Sequence, residues 1–304
     1  MAISRTQLVK ELEPGLNALF GLEYKRYENQ HAEIYVTESS DRAFEEEVML
    51  SGFANAQTKA EGSGVAFDSA QETYTARYTH DTIALAFAIT EEAIEDNLYD
   101  RISSRYTKAL ARSMSNAKQV KAVTPLIDGL PSTDGFDSGD GVSLFNTAHT
   151  TVSGTNVKNT LTTQADLNET SLEQSLIDIA AMTDERGLRI AARGVKMIIP
   201  SANQFTAERL MKSQGRTGTA DNDINAIGSM GMIPQGYRVN NYLTDSDAFY
   251  IITDVPNGMK MFQRAPLKTA MEGDFDTGNV RYKARERYSF GVSDYRGIFG
   301  VEGA

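Results

Sequence analysis

The sequence predicts an α+β fold in which an extended part and a compact part share one chain. Three observations carry this expectation. Residues 91–122 keep an apolar spacing that fits one long helix. Residues 48–89 read as two extended limbs around the turn-like "EGSG" of Glu61–Gly64. Residues 165–262 alternate helix and strand patterns over short distances, as a compact α/β unit does.

Bulk composition narrows the class. The 304 residues are enough for two domains, or for one with long extensions. Hydrophobic content of 40% and charged content of 23% are ordinary for a folded chain. The absence of cysteine excludes disulfides and thiolate chemistry, and suits synthesis in a reducing cytosol. No apolar run approaches 18 residues, and "MAISRTQLVKELEPG" lacks a signal-peptide core, so no membrane partner is expected. A net charge of −11 argues against a dedicated nucleic-acid binder, which needs a basic face to displace counterions.

The elements follow in order. Residues 5–13 and 15–27 carry helical spacing on either side of Pro14-Gly15, and "HAEIYVTESS" alternates like a short strand. With few large apolar groups in a row, residues 1–47 look like an arm that packs on something else. In the hairpin 48–89 the return limb "YTARYTHDTIALAFAI" places Ile83, Leu85, Phe87 and Ile89 on one face. Its tip is rich in Thr, Gln, Ala and Ser and is expected to be thin, polar and projecting. A hairpin this long is marginal alone and needs a surface to lie on.

Thr90 is an expected N-cap, and Ile94, Leu98, Ile102, Tyr106, Leu110 and Met114 follow at four-residue steps, with Ala117 and Val120 after them. The helix is expected to stop before Pro125 and to span roughly 45 Å. A loop-rich stretch leads to "TSLEQSLIDIAAMTDERG", with a capping box at Thr170 and Glu173 and an end at Gly187. "VKMIIP" is a buried strand, and Ser201 and Gln204 form a second capping box for a helix to about Lys212. "SQGRTGTADND" (213–223) is a loop, and "YRVNNYL" and "AFYIITD" are two more strands.

The last segment poses a charge problem. In "RYKARERYSFGV", Arg281, Lys283, Arg285 and Arg287 share one face of a strand, and Tyr282, Ala284, Tyr288, Phe290 and Val292 share the other, with Glu286 among them. "DTGN" (276–279) has hairpin-turn chemistry. A four-residue loop there sets Phe275 against Val280, Asp274 against Arg281, Glu272 against Lys283, Ala270 against Arg285 and Lys268 against Arg287. Two cations then meet carboxylates, while Arg285 and Arg287 need a partner outside the hairpin.

No catalytic pattern emerges. His31, His80 and His149 have no metal-ligand companions at usable spacing. "DGFDSGDG" departs from a calcium loop, and the carboxylates of such turns are ordinarily just solvated. There is no nucleophile elbow, Walker loop or dinucleotide fingerprint. The expectation is no enzyme, no cofactor and no metal.

The order of parts resembles the Hong Kong 97-type major capsid proteins of tailed bacteriophages over nearly the whole chain. The sharpest local likenesses are "VKMIIPSANQFTAERLMKS" (195–213), "RERYSFGVSDYRGIFGVEG" (285–303) and "DGVSLFNTAHT" (140–150). The resemblance implies an N-arm at 1–47 and an extended E-loop at 48–89. It implies a P-domain at 90–164 and 263–292, with a spine helix at 91–122 and a β-hairpin, and an A-domain at 165–262 with closing strand 293–304. It further implies pentamers and hexamers of the chain itself in an icosahedral head that encloses double-stranded DNA without reading its sequence. A separate scaffolding protein, a portal protein at one vertex and an optional cement or decoration protein are the other implied partners. The place of assembly would be the bacterial host cytoplasm, and of residence the virion. Expected inter-subunit contacts are Lys59, Glu61 and Arg77 on the E-loop, Gln214, Arg216 and Asn222 near the capsomer axis, and Glu272, Asp274, Arg281, Lys283, Arg285 and Arg287 on the P-domain hairpin. The type member's Lys–Asn cross-link is not expected, although Lys59 and Asn55 lie near the tip. An encapsulin-like shell shares the fold. A soluble α/β enzyme with a hairpin arm, and a tail or decoration β-protein, are the readings from other classes.

Overall fold

The computed structural model describes residues 5–90, 92, 99–133, 135–215, 223–274 and 278–304, with side chains in the first helix from residue 13 and in the long helix from residue 103. Two four-stranded sheets organise it. The first has the order β1–β10–β11–β4, from Val36–Ser39, Met259–Gly273, Val280–Val292 and Asp81–Ile89. The second has the order β12–β9–β7–β8, from Ile298–Val301, Phe249–Thr253, Gly194–Ile199 and Tyr237–Val239. A separate antiparallel pair joins β2 (Phe44–Leu50) to β3 (Glu72–Thr79), and β5 (His149–Thr150) pairs with β6 (Asn156–Val157).

The first helix, α1, runs unbroken from Arg5 to Arg26 with Pro14 inside it, not as two helices. Pro14 deletes one amide donor, and packing outweighs that loss. Leu16 and Phe20 are buried with Leu110, Ala111 and Met114 of the long helix and Tyr282 and Ala284 of β11. The arm-like segment thus has a face docked on its own subunit. Gln30–Glu33 form a 3₁₀ turn, and the following Ile34 and Tyr35 are buried, so only the last part of the expected strand is one.

The long helix, α2, is described over Tyr99–Asp128; its expected start at 91 and the residues 93–98 lie outside the described residues. It continues past Pro125 because Leu126, fully buried, enters the core of the second sheet. The row at four-residue spacing is only partly the buried one: Leu110 and Met114 are buried, while Tyr106 and Val120 are half exposed. Steps of four advance 400°, so such a row rotates about 40° per step away from any fixed face. Ser103, Thr107, Ser115, Lys118 and Gln119 fill out the buried stripe instead.

In the compact part the strands fall as expected and the caps do not. Helix α3 (Glu169–Ala181) is capped by Asn168 and Ser171, not Thr170 and Glu173, and it ends at Met182. Gly187 lies beyond that end, in a turn at φ +82°. Ser201–Asn203 form a 3₁₀ turn before α4 (Gln204–Lys212), and no Ser201–Gln204 capping box forms. A short α5 (Ala226–Met230) follows. Met197, Ile198, Phe249, Tyr250, Ile251, Ile298 and Phe299 are buried together with Leu126, Phe145 and Ile179. Gly300 lets β12 lie against Phe145, since a Cβ there would stand 2.6 Å from its ring.

One histidine reports on the seam between the Gln30–Glu33 turn and α2. Gln119 Nε2 donates to His31 Nδ1 at 3.0 Å, while Gln119 Oε1 accepts from the His31 amide, which fixes a neutral ring. Burial, aided by the charge of Lys118, lowers the His31 pKa to about 4. The unfolded chain therefore takes up this proton below the ordinary 6.5 while the folded chain waits until about 4. Stability should fall as pH drops through that window. Thermal melts of wild type and His31→Asn between about pH 7 and about pH 4 should show a smaller acid loss in the variant, and equal losses would refute the assignment.

Candidate subunit interface

The β10–β11 hairpin carries the row of cations, but in a different register from the one its turn suggests. Glu272 lies opposite Arg281, Ala270 opposite Lys283, Lys268 opposite Arg285 and Ala265 opposite Arg287, with irregularities between Gln263 and Lys268. From Lys268 to Gly273 the pairing is displaced by two residues from expectation, and that even displacement leaves these side chains on their expected faces. The reason lies at the turn: Asp274 N–H donates to Asn279 carbonyl O at 2.8 Å, and Gly278 N–H to Asp274 O at 3.0 Å, so the hairpin closes on Asp274 and Asn279, one residue earlier on each strand than the expected Phe275–Val280 pair. Phe275, expected opposite Val280, lies outside the described residues. The Asp274–Arg281 ion pair forms all the same, diagonally, at 2.5 Å. The expected Glu272–Lys283 facing does not form.

The two faces of β11 are sharply unlike. On the inner face Tyr282, Ala284, Glu286 and Tyr288 are all buried. On the outer face Arg281, Lys283 and Arg285 are exposed and Arg287 is half-buried. Across the next strand pair they lie opposite Ala88, Ala86, Ala84 and Thr82 of β4, so small side chains flank the row. Lys268 and Arg285, directly opposite each other, form a like-charge pair, which works against the hairpin. Among the described residues neither Arg285 nor Arg287 has a carboxylate at ion-pair distance.

The buried glutamate is the feature that pattern reading passed over. Glu286 is 1% exposed. Its Oε2 accepts from Lys118 Nζ at 2.9 Å and its Oε1 from Tyr24 Oη at 2.7 Å. Its place in an otherwise apolar row was the sequence signal. Lys260 makes a second knot, bridging Glu47 of β2 at 2.5 Å and Glu38 of β1 at 3.2 Å at the root of the β2–β3 hairpin. Burial works to lower the Lys260 pKa, and the two carboxylates outweigh it and raise it.

The β2–β3 ladder ends at Leu50 and Glu72, and the turn lies at Ala60–Ser63, where the sequence put it. The return limb is not continuous: it breaks at His80, and β4 leaves to join β11. Lys59 and Glu61 are exposed at the tip. Arg77 lies 4.1 Å over the Phe44 ring and 3.8 Å from Glu46, both in its own hairpin. The tip is not polar throughout. Phe53 and Val65 are largely exposed and Phe67 is 98% exposed, an apolar group of the kind that marks a contact surface. Gln214 is exposed beside α4, and Arg216 and Asn222 lie outside the described residues.

No cluster of histidine and acidic residues able to hold a metal occurs among the described residues. The described residues thus combine exposed apolar side chains on the β2–β3 hairpin with a basic sheet face that is neutralised only at its Arg281 end. A family described as phage capsid protein matches residues 72–301, and the chain belongs to that family. Its fold is the Hong Kong 97-type capsid fold. A chain of Mycobacterium phage Patience superposes with a TM-score of 0.57 at 11% identity, over 99% of this chain and 89% of that one. The procapsid of bacteriophage JBD30 gives 0.55 at 13% identity, over 99% and 77%. The virus-like particle from Pyrococcus furiosus gives 0.52 at 8% identity, over 94% and 98%. No curated protein is similar to the chain in sequence. The protein is thus a structural protein of the capsid family.

The like-charge pair gives a direct test of the observed register. Lys268→Glu should turn the repulsion with Arg285 into an attraction and raise subunit stability by about 0.2–1 kcal/mol, read by urea unfolding. In the register expected from the sequence, the introduced carboxylate would face Arg287 instead. A double-mutant cycle coupling position 268 to 287 and not to 285 would therefore overturn the assignment.

Proposed function

We propose that the chain is the major capsid protein of a tailed bacteriophage, assembling as pentamers and hexamers into an icosahedral head around double-stranded DNA. The family match across 72–301 carries this reading. In it, residues 1–47 act as N-arm and 48–89 as E-loop. Residues 90–164 and 263–292 form the P-domain, and 165–262 with 293–304 form the A-domain, whose loop at 213–223 approaches the capsomer axis. Scaffolding and portal proteins serve assembly in the host cytoplasm, and the product is the virion. The acidic balance suits a wall past which DNA must slide without sticking. No helix among the described residues is long and apolar enough to cross a membrane. The likeness to the Pyrococcus furiosus particle supports the second reading, a nanocompartment shell. Electron micrographs of purified particles from infected or expressing cells separate the two: large heads with a portal vertex, or small uniform cages.

Two variants test the subunit's role in the shell. Replacing residues 55–70 by a short turn should leave folded subunits, because this tip adds nothing to the buried core, yet closed shells should fail to form by electron microscopy. Arg285→Glu with Arg287→Glu should barely shift subunit melting but should make assembly fail or the particles fall apart in high salt. Normal, salt-resistant shells from that double variant would remove the basic row from the interface.

A further inference from the structure

The three histidines differ in what their ring nitrogens face. His31 Nδ1 faces an amide donor, and His80 lies between the hydroxyls of Ser40 and Ser289, which can give or take a proton. His149, fully buried, faces acceptors on both sides. Its Nδ1 is 2.6 Å from Asp140 Oδ2, and its Nε2 is 3.1 Å from Asn159 Oδ1. The orientation of the Asn159 amide is fixed. Its Nδ2 donates to the carbonyls of Leu144 at 2.7 Å and Tyr295 at 3.1 Å, and its Oδ1 also accepts the Asn146 N–H at 2.9 Å. A neutral imidazole has only one N–H, so it would leave one of these two acceptors facing a lone pair.

We infer that His149 is held as an imidazolium whose two N–H groups tie Asp140 to Asn159 across the 136–160 loop, while Asn159 Nδ2 and the stacked ring carry that clamp to the closing segment, and that this charge sets the seat of the β2–β3 hairpin. The ring stacks on Tyr295 with centroids 3.9 Å apart and planes 8° apart. Tyr295 in turn lies 4.4 Å from the Arg296 guanidinium, which is bound by Glu185 at 2.5 Å and Asp294 at 3.2 Å. The charged groups around the ring are therefore Asp140 from its own loop, Arg296 and Asp294 from the closing segment and Glu185 from the loop after α3. Burial acts to raise the Asp140 pKa, and the bonds from His149 and Ser138 outweigh it and hold the carboxyl low. The hairpin joins this cluster through Tyr74 of β3. Its hydroxyl donates to the Ser293 carbonyl at 3.4 Å, its ring centroid is 6.4 Å from that of Tyr295, and its ring fills the space where a Cβ on Gly139 would sit. Gly139 immediately precedes Asp140, so a shift of the clamp moves the floor under Tyr74.

Ring nitrogen NMR on the full chain labelled with ¹⁵N-histidine tests this. With three histidines in the sequence, His31→Asn and His80→Asn assign the remaining signal. At about pH 7.5, where an ordinary imidazole is mostly neutral, both His149 nitrogens should show N–H couplings. Asp140→Asn should convert one of them to the unprotonated, pyridine type and lower the melting temperature. A pyridine-type Nδ1 in the wild type would mean that Asp140 carries the proton and donates it to a neutral ring, and would overturn the inference. If Asp140→Asn fails to fold, the wild-type spectrum alone decides.

Discussion

A carboxylate buried at the centre of β11 constrains the arrangement around it. Glu286 cannot stay ionised in that position without partners, and removing one partner of such a buried pair costs about 3–5 kcal/mol. Its two partners come from far away in sequence: Lys118 from α2 and Tyr24 from α1, 168 and 262 residues distant. Meeting both fixes the rotation of α2 against the sheet and the docking of α1 across it. An apolar residue at 286 would leave α2 held by methyl and methylene contacts, which tolerate sliding by a turn. The ion pair tolerates none, because a turn of helix displaces Lys118 by about 5 Å.

The same strand has an opposite problem on its other face. Alternation puts Arg285 and Arg287 outside because Glu286 is inside, so the internal knot and the external cation row follow from one register. Internally the charges are neutralised within one chain. Externally, among the described residues, Asp274 neutralises Arg281 at one end of the row, and a like-charge pair stands at its middle. An isolated subunit gains nothing from that arrangement. In the proposed shell a neighbouring copy covers that face, and the exposed Phe67 fits the same proposal.

Architecture was legible where periodicity is set by burial. The strands "VKMIIP" and "AFYIITD", the turn at Glu61–Gly62 and the two faces of β11 were all readable because apolar side chains must go inside. Endings were not. Pro14 and Pro125 read as stops, yet tertiary packing of Phe20 and Leu126 carried both helices through. Thr170 and Ser201 had capping chemistry, but Asn168 lay two residues earlier with the backbone already extended, and Ser201 fell in a 3₁₀ turn. The hairpin register failed because the loop was placed at "DTGN" from turn composition, while the hairpin closes one residue earlier, on Asp274 and Asn279. Of the candidate interface, the cation row was visible as a pattern. The Glu286 knot and the His149 clamp were not, since each joins residues whose proximity only the folded chain creates.

Weakness of the individual outer contacts is a requirement of the proposed role. A surface ion pair contributes about 0–1 kcal/mol, and even a bidentate arginine contact on a sheet face is modest. Contacts of that size let a misplaced subunit leave again before the shell closes. Once closed, each subunit is held at several edges at once, and the effective concentration of neighbours turns small gains into a durable wall. Such a scheme works only if the subunit does not yield first. The buried ion pairs at Glu286, Lys260 and Arg296 each join segments remote in sequence, and they place the stiff, costly interactions inside the subunit and the cheap, repeated ones between copies.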